Sequence, residues 1–446
     1  MEKKLTIKEY IFIGSMLFGL FFGAGNLIFP IQMGQLAGSN MLSATIGFII
    51  TAVGLPFLGI VAIGLSRKES LYDLASKISP KYGAFFTIAL YLTIGPFFAI
   101  PRTATVSYEV AFASYLEPHQ LQLVLFIFSI LFFIASLWFS LRPSGILTWV
   151  GKILNPIFLV SLALLIVFSI IQPMGQVSEV PVVESYQAGA FFTGFLEGYN
   201  TMDALASLAF GIIVVRTIQN LGVTKPSSIA RNTIIAGVFS LALMVIIYAS
   251  LVYIGTTSQG LFSISANGGT ALAEVSNHYF SGFGAVILAI IITVACFKTA
   301  VGLITAISEM FVTIFPDKLS YNQYVYIFTG ISFVVANLGL SQIISFSLPV
   351  LMFLYPLAIT LILVTILNPL FKDKAIVYQV TTIFTLPFAL LDFLHALPEE
   401  LKETLHLDFV SEWAKEFIPL FKIGMGWFIP SLIGFVIGFI LSKKRK

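Results

Sequence analysis

Over 446 positions the chain is 58% hydrophobic and only 10% charged, against roughly 25% charged residues in soluble domains. Its polar surface is too small to enclose its apolar mass in water, and a mean hydropathy of +0.98 excludes a water-soluble fold. The net charge of +3 is not that of a nucleic-acid-binding domain.

Apolar runs of about 20 residues, the length that crosses roughly 30 Å of hydrocarbon, recur from end to end. The expected architecture is an all-α integral membrane protein of about twelve transmembrane helices. They are placed near 10–35, 40–65, 82–114, 120–140, 146–172, 190–215, 232–256, 283–313, 322–340, 343–368, 375–394 and 420–442. The first run starts after Lys8 and passes Phe29 with no small-residue cleavage site, so a removable signal peptide is not expected. The one cysteine, Cys296, falls inside a span and has no partner for an internal disulfide.

With a cytoplasmic N-terminus, the inside segments collect 19 of the 24 Lys and Arg residues, whereas the outside segments hold Lys402, Lys415 and Lys422. The positive-inside bias therefore puts both termini in the cytoplasm. The tail Lys443 to Lys446 reads as a stop against an anionic leaflet. No soluble domain is expected: 1–446 is a single transmembrane unit. The stretch from His395 to Pro419 is expected to lie as a short helix on the outer surface, and the Gly- and Ser-rich segment from Ser258 to Gly282 to hold another such element that could serve as an external gate loop; either could instead be a plain connection.

The first span is interrupted by Phe21-Phe22-Gly23-Ala24-Gly25-Asn26, with Pro30 four residues on. Two glycines and an asparagine weaken a helix at membrane depth, where irregular backbone is tolerated only beside a cavity or inside protein. The alternative is that Gly19, Gly23 and Gly25 form a small-residue packing face. The sixth span carries Glu197-Gly198-Tyr199-Asn200-Thr201-Met202-Asp203, and such polarity within a span marks a functional site by default. The chain thus reads as two five-helix halves, 1–173 and 190–368, each opening on an interrupted helix, with helices 11 and 12 at 375–442. Paired interruptions point to a midplane binding site in an inverted-repeat transporter. Half-helix N-termini offer N–H groups to an anion, and unwound carbonyls face a cation.

Other intramembrane polar residues carry less. Arg102, after Gly95-Pro96 and Pro101, is expected to reach a carbonyl cluster or Glu109, while Glu309 and Asp392, near span ends, are expected to snorkel. The four histidines, His119, His278, His395 and His406, make no i, i+4 metal-ligand pair within a span, and neither a nucleophile elbow nor a phosphate-binding loop occurs. An enzyme is therefore not expected, and no cofactor beyond a coupling ion. A channel is the remaining rival; twelve spans with two broken helices favour a carrier working as a monomer.

Three strings carry a specific likeness: Ile13 to Pro30, Thr93 to Val110 and Gly198 to Ala206. They closely resemble the bacterial branched-chain amino acid:cation symporter family, the BrnQ type, and the likeness runs over essentially the whole chain. The resemblance implies a LeuT-like fold, with a 5+5 inverted repeat and broken helices 1 and 6. It also implies sodium-coupled import of leucine, isoleucine and valine across the bacterial plasma membrane; another small apolar substrate is the alternative. Carried over by residue, it gives the N–H groups of Ala24 and Gly25, within Gly23 to Asn26, to the substrate carboxylate. The second break, Glu197, Gly198, Tyr199 and Asn200, then takes the ammonium, and Tyr108 and Leu303 line the side-chain pocket.

The same resemblance implies a sodium site between carbonyls of Gly19 and Phe22 and the span-eight positions Ala295, Lys298 and Thr299. Lys298 departs from the Thr or Ser expected there. It lies about fifteen residues from either end of its span, about 20 Å from either surface and too deep to snorkel. One reading makes its ammonium a built-in cation, with transport independent of sodium or linked to a proton. The other has it facing an aqueous vestibule or pairing with Glu197.

Overall fold

The computed structural model describes residues 4–23, 25–66, 68, 70–142, 146–280 and 282–444, and every regular element among them is helical. The first interrupted span is α1 (Ile7–Phe21) and α2 (Gly25–Ala37). Then come α3 (41–66), α4 (Pro80–Ala111), α5 (Leu121–Ser140) and α6 (Ile146–Ile171). The second interrupted span is α7 (Ala190–Glu197) and α8 (Asp203–Asn220), followed by α9 (Pro226–Ser258), α10 (Gly268–Phe280) and α11 (Phe283–Ile314). The chain closes with α12 (Tyr321–Ala336), α13 (Leu340–Ile366), α14 (Ala375–His395), α15 (Glu399–Thr404), α16 (Asp408–Phe417) and α17 (Phe428–Lys444).

Helices occupy all twelve expected span positions. Among the described residues seven stretches are long and apolar enough to cross a membrane, or eight when the bent pair α7 and α8 counts as one span. The four missing are α1, α12 and α17, with 15, 16 and 17 residues, below the roughly 20 that span hydrocarbon alone, and α6, of which the stretch Pro156–Ile171 counts as a shorter apolar helix. Apolar side chains such as Leu42, Leu131, Ile171, Val334 and Ile383 point outward, as a lipid-facing surface requires.

Two helix groups frame the interior. Each pair of broken helices packs with the helix that follows the other pair: α9 lies against α1, α2 and α3, and α3 receives α7 and α8. In the other group α4 packs on α5, α11 and α12. Backbones approach closely where glycines allow it. A Cβ on Gly34 would lie 2.1 Å from the Val252 carbonyl oxygen, and one on Gly255 would lie 2.0 Å from that of Ile31, so α2 and α9 touch along small residues.

The outer segments differ in detail from expectation. The Gly- and Ser-rich stretch after Ser258 does hold a helix, the 13-residue α10, but the segment after His395 folds as two short helices instead of one. Helix α10 is tied to both groups. Gln32 and Gln35 of α2 reach Ser265 just before it, while Asn267 and Thr270 at its start donate to Glu109 of α4. Glu309 is exposed, but Asp392 is only 1% exposed. The expected snorkelling of Asp392 is corrected: the turn before α17 covers it, with Gly426 beside its carboxylate.

Candidate site at the two helix breaks

Helix α1 stops at Phe22, whose ψ of 100° is extended, and α2 restarts at Gly25. The Gly23 N–H, left without a helical acceptor, donates to Asn26 Oδ1 at 2.9 Å. The second break runs through a 3-10 turn at Gly198–Thr201 to Met202, a non-glycine residue in the left-handed region at φ 61°, and the chain turns by 46° into α8. Such a residue is held in place by its surroundings at a cost of about 1–3 kcal/mol.

One side chain ties the breaks together. Asn26 Nδ2 donates to Asp203 Oδ2 at 2.5 Å and to the Tyr248 hydroxyl of α9, while its Oδ1 holds Gly23. Asn26, Asp203 and Tyr248 are all buried. Asp203 begins the 18-residue helix α8, where the helix dipole favours a negative charge.

Two adjoining cavities open at these breaks. The first is lined by Gly19, Phe22, Ala295, Lys298 and Thr299, with Phe158 opposite. The structure therefore brings together all five residues expected around a cation. Lys298 is half-buried on this wall, and the Thr299 hydroxyl donates to the Ala295 carbonyl at 3.1 Å. The second cavity shares Phe22, Gly23 and Thr299 and continues to Gly25, Asn26, Arg102, Asp203 and Leu303. Ile94 and Phe210 complete its apolar side. Gly23 faces the side chains of Asn26 and Thr299, and a Cβ on Gly25 would meet the Phe29 ring at 3.2 Å. Both glycines border the second cavity.

The remaining expected residues lie elsewhere. Tyr108 donates to the Leu121 carbonyl and stacks near Phe112 and Phe128, outside the second cavity; the kink at Gly95–Pro96, where Gly95 has ψ −126°, resets the helical face beyond it. Glu197 accepts from the Asn200 amide, Gly198 packs on Thr51, and Tyr199 stacks on Tyr355 with centroids 4.0 Å apart, so these three support the second break from behind. Ala24 lies outside the described residues. Arg102 does reach a carbonyl, donating from Nη1 to Asn200 O at 2.6 Å and from Nη2 to Ser347 Oγ at 3.0 Å. Glu109, its other expected partner, binds Asn267 and Thr270 instead. Sequence reasoning missed Asp203 and Tyr248 as site residues. Asp203 was visible as a second carboxylate inside the interrupted span.

The model of a family described as branched-chain amino acid transport protein matches residues 6–445. The chain belongs to that family. Among its relatives, the branched-chain amino acid permease BrnQ of Lactobacillus delbrueckii subsp. lactis is 48% identical, with all of both chains covered. BrnQ of Bacillus subtilis is 42% identical over 100% of this chain and 99% of the relative. Branched-chain amino acid transport proteins such as these are permeases and not enzymes. A crystal structure of MhsT in complex with L-phenylalanine superposes with a TM-score of 0.59 at 17% identity, covering 99% of this chain and 100% of that one. That likeness assigns a LeuT-like transporter fold to this family member.

Proposed function

We propose that this family member imports leucine, isoleucine and valine across the bacterial plasma membrane by alternating access. The observation that carries the reading is a single cavity bordered by both helix breaks in a chain of this family. The substrate carboxylate meets the Gly25 N–H at the start of α2. Its ammonium sits against the second break, and its side chain lies toward Ile94, Phe210 and Leu303. Twelve spans carry the movement, 1–173 and 190–368 forming the inverted repeats and 375–442 the added pair, in a monomer with both termini in the cytoplasm.

The coupling ion belongs to the first cavity. There the Lys298 ammonium takes the place of sodium between α1 and α11, supported by its position among Gly19, Phe22, Ala295 and Thr299. Import is then sodium-independent, with a proton as the alternative coupling ion.

Isothermal titration of the purified protein tests the substrate class. Leucine, isoleucine and valine should all bind, valine within about 10–200-fold of the other two, because one methylene is worth about 1–3 kcal/mol. Lysine and glutamate should not bind, since a second charge would be buried unpaired beside Phe210 and Leu303. Lysine binding as tight as leucine would overturn the assignment.

A further inference from the structure

The second cavity is apolar on one side and carries opposite charges on the other. Arg102 is 3% exposed and Asp203 is 4% exposed, and both line it. Neither takes part in an ion pair among the described residues; the Glu197 carboxylate acts on Arg102 only from beyond contact, across Asn200. Arg102 makes two hydrogen bonds, to a backbone carbonyl and a hydroxyl, and its buried Nε–H has no partner there. Its guanidinium stacks 4.9 Å from the Phe29 ring centroid, and the Asn200 oxygen it holds lies 3.8 Å from where a Cβ on Gly25 would stand. The guanidinium thus sits beside the start of α2. Asp203 receives hydrogens from Asn26 and Tyr248 on Oδ2 alone, the pattern of an acceptor at the start of a helix.

Buried charges are costly unless paired and hydrogen-bonded. A zwitterion would set a carboxylate beside Arg102 and an ammonium beside Asp203, an opposite charge at contact for each group. We propose that Arg102 and Asp203 form a clamp for the α-amino acid zwitterion, Arg102 holding the carboxylate with the Gly25 N–H and Asp203 holding the ammonium. The clamp rests on the transport reading above and adds to it the demand that both charged ends be present. It also gives Asn26 a role: by fixing Asp203 to Gly23, it sets the spacing between the two ends of the clamp across both breaks.

Analogues that lack one charge test this on the unaltered, full-length protein. Leucinol keeps the ammonium without the carboxylate, and 4-methylpentanoate keeps the carboxylate without the ammonium. Titrated against leucine, each should bind about 100-fold more weakly or worse, because each strands one buried charge. The variants should cross. Arg102→Gln weakens leucine but narrows its advantage over leucinol alone, and Asp203→Asn narrows the advantage over 4-methylpentanoate alone. A merely structural role for either residue would weaken all three ligands together and overturn the clamp. Leucine binding by the unaltered protein with either analogue within about tenfold of it also overturns the clamp, whether or not the variants fold, and leaves the transport reading standing. No leucine binding at all overturns both.

Discussion

Gly25→Leu is expected to abolish leucine binding while the protein still reaches the membrane and purifies as a single species. A Cβ at this position would stand 3.2 and 3.4 Å from two atoms of the Phe29 ring and 3.8 Å from the Asn200 oxygen. The first carbon therefore needs a shift of a few tenths of an ångström, and the ring that must shift is the one under Arg102. A leucine side chain has nowhere to go but the cavity that Gly25 borders. It would cover the N–H groups of the first break and fill the space where a carboxylate approaches backbone. Gly25→Ala, which adds only the crowded Cβ, should weaken binding by about tenfold, or 1.4 kcal/mol. Isothermal titration of the two variants beside the parent reads both effects. An unchanged leucine affinity in Gly25→Leu would place the site elsewhere.

Replacing Lys298 with threonine should turn sodium-independent transport into sodium-dependent transport. Five residues that the family resemblance puts around a cation, Gly19, Phe22, Ala295, Lys298 and Thr299, line one cavity. A lysine there carries its own positive charge, and a second cation at contact distance would be repelled at an energy of several kcal/mol in a medium less polar than water. The threonine variant removes that charge and adds a hydroxyl three residues from the Ala295 carbonyl, beside the Thr299 hydroxyl that already bonds to it. Oxygen ligands of this kind suit a hard cation. Leucine uptake measured with sodium and with choline outside should be equal for the parent and should differ at least tenfold for Lys298→Thr. Strong sodium stimulation of the parent would return the chain to ordinary sodium symport.

Much of this was legible in the residues because membranes punish exceptions. Gly23, Gly25 and Asn26 stand out in an apolar run, and the breaks lie where they do because lipid cannot satisfy freed backbone groups. The polar run from Glu197 to Asp203 marked the second break in the same way. What the sequence did not resolve was which side of that run faces the cavity. Asp203 meets Asn26 and the Asn200 backbone oxygen meets Arg102, while the Asn200 amide bonds Glu197 and Tyr199 stacks on Tyr355; between them Met202 adopts a left-handed backbone that no local pattern announces. Tyr108 failed for a similar reason, its helical face being reset by the kink at Gly95. Tyr248 is one tyrosine in the 33-residue helix α9, and its hydrogen bonds with Asn26 and Asp203 distinguish it from a core residue. Asp392 looked like a span-end carboxylate, and its burial depends on a turn more than thirty residues later in the chain.

The central claim, carriage of branched-chain amino acids through the cavity between the two breaks, is tested most directly by uptake into liposomes holding the purified protein. Radiolabelled leucine should accumulate against an excess of unlabelled leucine inside, by exchange that needs no ion gradient. Isoleucine and valine added outside should suppress that exchange, and lysine and glutamate should leave it unchanged. Exchange no faster than in protein-free liposomes, or suppression by lysine equal to that by isoleucine, would contradict the account.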